Sequence, residues 1–418
     1  MATMKKLLFL FIISSFSSSA QVDSLRYFFI NSDYKRIIEI ANQKNTLEHL
    51  KLSDIRYISY AYKSVGDYTN AIRIIKLYEK QHGSTEDLIF LKAEYLYQYG
   101  RSNQALKLVE KLLMTDSLNF KYLNLSERIY KAQKQYTKAL GIVIQIYKID
   151  SLNPLINYKI AYYNTKLKNY KKAIDHFNKT LILDSTYTDA WRWLGKIYSA
   201  KMQHDTALYF INTALDLEPT NLIIVEERAN INYRKGHYFR AKNDFQKLID
   251  SKQVKLEIYF KTGVCYLQMR QPQKALEILT DVYSKDSSNY LYAEYLGILY
   301  NKLDQKKKAE YYLNKSISLL QPDDLTLASI YRQLANIYFD SSEKTKMDKA
   351  IHQFYLHSSD IYLLYNIARK YDKQAKTSLA LEYYQRLSRR SNFPKSREFE
   401  YVKNRIQILK EDLFFEQK

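Results

Sequence analysis

Eight alanines, Ala71, Ala105, Ala139, Ala173, Ala207, Ala241, Ala275 and Ala309, stand 34 residues apart along this chain, and Ala350 and Ala380 continue the series. A period of that length holds two helices and two short turns, so one supersecondary unit has been copied head to tail. Such an array grows in one dimension and escapes the arithmetic that would divide 418 residues into two or three globular domains. Glycine and proline are scarce, with 8 and 5 occurrences. That scarcity disfavours an all-β chain and suits long helical stretches.

Three further columns keep the same phase. Twelve residues before each alanine, or fifteen before Ala350, lies a mostly small residue: Ser59, Ala93, Glu127, Ala161, Gly195, Ala229, Gly263, Gly297, Ala335 and Ala368. Small residues at fixed places on successive helices allow close axial approach. A third column is largely aromatic, with Tyr62, Tyr130, Tyr198, Tyr266, Tyr300, Tyr338 and Tyr371. The fourth is apolar: Ile75, Val109, Val143, Phe177, Ile211, Phe245, Leu279, Leu313, Phe354 and Tyr384. Large side chains fill the gaps that small ones leave, as a close-packed interior requires. Turns are expected at Gly66-Asp67, Gly100 and Gly236, and at the Asp-Ser-Leu-Asn and Glu-Pro-Thr-Asn stretches.

These columns resemble the tetratricopeptide repeat. The best match runs from Asp189 to Asn221, where Trp191, Leu194, Gly195, Tyr198, Ala207, Ile211, Ala214 and Pro219 occupy the signature places. The resemblance covers roughly Val22 to Pro394. It implies an all-α fold: a right-handed superhelical solenoid of about ten to eleven helical hairpins with a concave groove. By this reading 21–51 is a degenerate first unit marked by Tyr34 and Ile37, 52–323 holds eight in-phase units, and 324–394 holds two of irregular spacing. Residues 395–418 read as a terminal capping helix, with Phe399, Val402, Ile406, Leu409 and Leu413 on one apolar face.

Two places break the pattern. Glu127 sits in the small column, where a buried unpaired carboxylate is costly; it is expected to reach outward beside Arg128 or Lys131. Spacing also slips to 38 residues between Gly297 and Ala335 and to 41 between Ala309 and Ala350. Extra length is therefore expected in Gln321–Leu327 and in Asp340–Met347, as a bend or loop.

No enzyme signature is present: no glycine-rich phosphate loop, no histidine pair flanking a glutamate, no nucleophile elbow. Asp348 and His352, with His357 nearby, make a poor ligand set against the plainer reading of a solvated helix face. Cys265 falls inside an amphipathic helix and reads as a small core residue. No metal and no cofactor is expected.

In the resembled family, first-helix residues line the groove. Here these are Asn124, Arg128 and Lys131, then Tyr158 and Tyr162, then Arg192 and Lys196, then Glu226, Asn230 and Tyr233. Such a cationic, tyrosine-bearing stretch suits an acidic peptide or a glycan. A five-residue carboxylate clamp known in the family is matched at Arg332, Asn336 and Asn366 but broken at Ser396 and Glu400. A second basic column precedes the alanines: Lys138, Lys171, Lys172, Arg240, Lys274, Lys307, Lys308 and Lys349. First turns of helices favour acids, so this basic ridge runs against the helix dipole. Its plainer explanation is a lysine-rich solvated edge.

At the N-terminus, Lys5-Lys6, the apolar run Leu7–Ile13 and Ser18-Ser19-Ala20 form a signal-peptide pattern over 1–20, too short to span a bilayer. No cysteine follows as a lipidation point. The expected location is exported, periplasmic or at the cell surface. A formal charge of +21 favours anionic partners, which outside the cytoplasm means acidic proteins or envelope polymers rather than nucleic acid. The leading expectation is a non-catalytic scaffold for protein or peptide partners; the alternative is a basic module binding an envelope polymer or glycan.

Overall fold

The computed structural model describes residues 25–43, 50–251, 255–320, 323–390 and 397–416. The leader pattern in 1–20 lies outside the described residues. Among those described, the regular structure is entirely helical, in two compact units that divide after Lys201.

In the first unit, a short helix at 25–30 pairs with Tyr34–Ala41. Four hairpins follow: Leu52–Ser64 with Tyr68–His82, Glu86–Gln98 with Ser102–Thr115, Phe120–Ala132 with Tyr136–Ile149, and Pro154–Lys166 with Tyr170–Leu183. The helix Thr188–Ala200 ends the unit. The second unit begins with His204–Leu217 and continues through five hairpins: Leu222–Arg234 with Tyr238–Asp250, Leu256–Gln268 with Pro272–Lys285, Tyr290–Lys302 with Lys306–Leu319, Asp324–Asp340 with Lys344–His357, and Tyr362–Lys373 with Thr377–Ser388. The helix Arg397–Glu416 packs on the last of these, with Val402 and Leu409 buried.

The columns explain the packing. Every one of the eight evenly spaced alanines is fully buried. The small column faces the fourth column directly: a methyl group added to Gly297 would lie 2.7 Å from Leu313 Cγ, and one on Gly263 would lie 2.7 Å from Leu279 Cδ2. Those separations are below van der Waals contact, so only glycine fits without displacing the leucine.

The turn within each hairpin is equally regular. A residue in left-handed conformation recurs at Ser32, Gly66, Gly100, Lys134, Lys168, Met202, Gly236, Arg270, Asp304, Ser342 and Ala375. Beyond it, the next N–H reaches back to the aromatic-column carbonyl, as in Asp67 to Tyr62 (2.9 Å), Gln135 to Tyr130 (2.9 Å) and Gln305 to Tyr300 (2.8 Å). This is the six-to-one bond of a Schellman motif, which satisfies a carbonyl left over at the helix end. Glycine marks only Gly66, Gly100 and Gly236 of these turns, which is why the other eight escape a search for turn residues.

The irregular region takes a different form from the one expected. Ser342 and Glu343 make the same tight turn as in other hairpins, so Asp340–Met347 holds no insertion. Counting from the helix start places Met347, fully buried, where other hairpins carry their alanine, and Ala350 lies one turn further on. The 41-residue step is therefore 38. The four added residues lie at the start of this hairpin's first helix, which at 17 residues is longer than its 13-residue predecessor. From Asp323 onward the addition is helical, an extra turn rather than a loop.

Candidate functional site

Within the first unit, three first helices, Phe120–Ala132, Pro154–Lys166 and Thr188–Ala200, bring aromatic rings and cations together. Trp193 donates through Nε1 to the Tyr158 hydroxyl at 3.2 Å and meets Tyr162 edge to face at 5.4 Å. Around these rings stand Lys131 (5.2 Å from the Tyr162 centroid), Lys166 (5.3 Å from Tyr162 and 5.2 Å from Trp193), Arg192 (5.4 Å from Trp193) and Lys196 (4.7 Å from Trp193). Arg128 lies over Tyr97 at 5.0 Å. Cations held against ring faces are positioned at low cost in water. Arg192 also pairs with Asp189 at 2.7 Å. Arg128, Lys131 and Lys166 have ring partners but no carboxylate partner among the described residues. Burial pushes the Tyr158 hydroxyl well above the ordinary tyrosine range, so it stays a neutral acceptor for Trp193.

Beneath this face lies Glu127. It does not reach outward: it is 2% exposed, accepting from Lys159 Nζ at 2.9 Å and from the Tyr163 hydroxyl. Lys159 also donates to Asn124 at 3.3 Å. The expectation fails because a lysine on the next hairpin, 32 residues away, brings the countercharge inward. Burial, and then the hydrogen bond to Glu127, raise the Tyr163 hydroxyl far above its usual range. Asn124 is thus a supporting group beside the cluster.

A sequence model for the tetratricopeptide repeat matches residues 257–288. Together with the repeating hairpin and its columns, that match identifies the architecture. The chain carries tetratricopeptide repeats.

Among curated proteins it is 19% identical over 288 residues to the anaphase-promoting complex subunit CDC16 of Saccharomyces cerevisiae, covering 59% of this chain and 34% of that one. It is 21% identical over 202 residues to the human protein O-mannosyl-transferase TMTC1, covering 47% of this chain and 22% of the other. The chain therefore spans about a third or less of the length of these relatives. Among solved structures, a tetratricopeptide repeat protein from Parabacteroides merdae aligns with a TM-score of 0.47 at 18% identity, over 63% of this chain and 98% of that one. The APC/C hetero-tetramer Cut9–Hcn1 aligns with a TM-score of 0.43 at 14% identity, over 94% and 83%.

The basic ridge of the repeats has a packing partner. Lys138 lies over Tyr130 at 5.4 Å, Lys274 over Tyr266 at 5.7 Å and Lys308 over Tyr300 at 5.1 Å. The helices that these lysines begin have glutamine at the N-cap, no side-chain cap and no acid in the first turn. A cation there opposes the dipole, and its seat on the aromatic column offsets this by about 0.5–1 kcal/mol. Lys349 does not belong to the column; with Met347 in phase, the equivalent residue is Lys346, 5.3 Å over Tyr338. Lys172 and Arg240 precede alanines in the two hairpins whose aromatic position is asparagine, Asn164 and Asn232. Lys171 and Lys307 are exposed beside them.

Remaining sites of the repeats are ordinary packing or ion pairs. In the second unit, Asn230 accepts from Lys261 at 2.7 Å, and Tyr233 packs edge to face on Phe245 and Tyr238. Glu226 offers its backbone carbonyl to Asn230. The partial clamp is engaged internally: Arg332 pairs with Asp360 at 2.6 Å and Asn336 accepts from Lys370 at 3.2 Å, while Ser396 lies outside the described residues. Asp348 bonds Tyr383 and Arg386, and His357 bonds Asp324. Among the described residues no group of three or more such side chains could hold a metal ion. Cys265 is buried, and burial pushes its thiol up to about 12. No helix among the described residues is long and apolar enough to cross a membrane.

Sequence reasoning found Arg128, Lys131, Tyr158, Tyr162, Arg192 and Lys196; the structure gathers Lys131, Tyr158, Tyr162, Arg192 and Lys196 around Trp193 and Tyr162, while Arg128 lies over Tyr97. It missed Trp193 and Lys166. Both stand at first-helix positions adjacent to those selected, and tryptophan's rarity (2 in the chain) was the available signal.

Proposed function

We propose that this chain is a non-catalytic scaffold that holds an acidic segment of a protein partner on the first-helix face of its N-terminal unit, and that it does so after export from the cytoplasm. The observation that carries the reading is the cluster around Trp193 and Tyr162, where Lys131 and Lys166 present charge without a carboxylate of their own. Arg128, one turn from Lys131 on the same helix, stands on Tyr97. Carboxylates of an extended peptide would take the exposed charges, and the rings would add flat contact area. The seating of ridge lysines on tyrosines gives that column a role in packing, so the scaffold reading is preferred over polymer binding along the ridge.

The test uses Trp193 as its own reporter. In a Trp191→Phe background, a glutamate-rich peptide is titrated while tryptophan emission is followed, alongside a lysine-rich peptide of equal length. Saturable change with the acidic peptide alone, weakened at least about tenfold in Lys131→Glu/Lys166→Glu, is expected. Equal response to both peptides, or an unaltered response in the double variant, sinks the reading. Protease accessibility of the protein in intact and osmotically shocked cells tests the export component.

A further inference from the structure

The second unit contains a cleft of about 680 Å³ that shares only Arg240 with the surfaces above. Three departures from the repeat columns build it. Arg228 stands one place before the small column, where other hairpins carry Ile160, Leu296 or Leu334. Asn232 occupies the aromatic column, where the next two hairpins carry Tyr266 and Tyr300. Asp244 replaces residues such as Ile278 and Tyr312. Shortening tyrosine to asparagine withdraws a ring from between Leu222–Arg234 and Tyr238–Asp250, and the polar replacements line the space.

Two of these groups satisfy each other. Arg228 donates from Nε and Nη2 to Asp244 at 2.8 and 2.7 Å, a forked pair with Asp244 only 4% exposed. The third is left over. Asn232 is 3% exposed and lines the cleft, and its Oδ1 has no hydrogen-bond partner. Buried side-chain acceptors without a donor are exceptions in native proteins and call for an explanation. The walls also carry Arg240, Lys242 and Lys247, none with a carboxylate partner among the described residues, and one further carboxylate, Asp250, which accepts from Gln246 at 2.9 Å. Arg240, like Lys172, is a ridge cation whose ring is missing, because its column residue is Asn232 rather than tyrosine. The same substitution therefore opens the space and leaves Arg240 without an aromatic seat.

We propose that this cleft binds a small hydroxylated anion, a sugar-sized molecule with one phosphate or carboxylate. Its anionic group would sit among Arg240, Lys242 and Lys247, and its hydroxyls would face the side-chain amides of Asn212, Asn243 and Gln246, which line the same space. The volume lies in the range of small-molecule sites, about 300–1,000 Å³. None of its residues belongs to the Trp193 cluster, so the inference stands apart from the scaffold reading.

Calorimetric titration of the full chain tests it, with a hexose monophosphate and a hexuronic acid as the two anionic probes. An uncharged hexose and inorganic phosphate serve as comparisons. Saturable binding of one or both hydroxylated anions is expected, at least about tenfold tighter than either comparison; the two probes tell phosphate from carboxylate. Asn232→Tyr, which restores the column residue and fills the cleft, should keep the helical circular-dichroism signal and reduce binding at least about tenfold. Lys242→Glu should do the same without filling the space. Three results overturn the proposal: no saturation by either probe in the millimolar range, inorganic phosphate binding as tightly as the sugar phosphate, or binding unchanged in Asn232→Tyr.

Discussion

Glu127 stands among alanines, glycines and a serine in the column where helices touch, yet it is among the best-satisfied carboxylates in the chain. The two members of its ion pair with Lys159 do not contribute equally. Removing the carboxylate leaves Lys159, 22% exposed, free to turn to water; removing the ammonium strands a buried anion. Lys159→Met should therefore cost about 2–3 kcal/mol, and Glu127→Ala about 1–2 kcal/mol. The double variant should fall below the sum of the two, because each loss removes the other's penalty. Urea unfolding of the four proteins checks the order; a larger cost for Glu127→Ala would refute it. The pairing was not legible in the sequence because its partner lies on the next hairpin. Nothing in the local series around Glu127 says that Lys159 turns toward it rather than toward solvent.

At the scale of helices and turns, periodicity carried most of the information. Alanine, small and aromatic columns each became a buried contact or a seat, as at Gly297 against Leu313. What the columns concealed was phase: Ala350 imitated the series, and only the helix start at Lys344 shows that Met347 holds the place. The left-handed turn residue was legible at three glycines alone, since Lys134, Arg270 and others bear the same conformation against their side-chain preference. Relief of that cost is measurable. Arg270→Gly should raise unfolding free energy by up to about 1 kcal/mol, read from the shift in denaturant midpoint, and a lowered midpoint would contradict the turn geometry.

The terminal helix Arg397–Glu416 offers a second check at this scale. Arg405 donates to Asp372 at 2.7 and 2.9 Å, which, with the Tyr384 hydroxyl, holds that carboxyl below its usual range. A depressed carboxyl stabilises the folded state above its unfolded value, and the contribution is lost as pH falls through the folded one. Hydrogen exchange in this helix should accelerate between neutral pH and about pH 2 relative to the Asp372→Asn variant, whose exchange lacks that dependence. Parallel profiles for both proteins would remove the ion pair as an anchor.

For the molecule as a whole, composition and function are connected through tyrosine and lysine. The chain has 41 tyrosines and a charge of +21, and many of its cations rest on rings rather than on carboxylates. Fold class was readable from spacing because packing positions are shared by every hairpin. The candidate face was readable only in part, because it depends on which few side chains meet across hairpins, as Trp193 and Lys166 do.

The principal helix contacts are between elements next to each other in the chain or next but one. No stretch must wait for a distant segment before it can bury its apolar face. Topologies of this kind close only short loops and fold rapidly, from whichever end is free. A chain emerging lengthwise from a ribosome or a narrow channel can thus settle hairpin by hairpin, each completed one serving as the template on which its successor condenses.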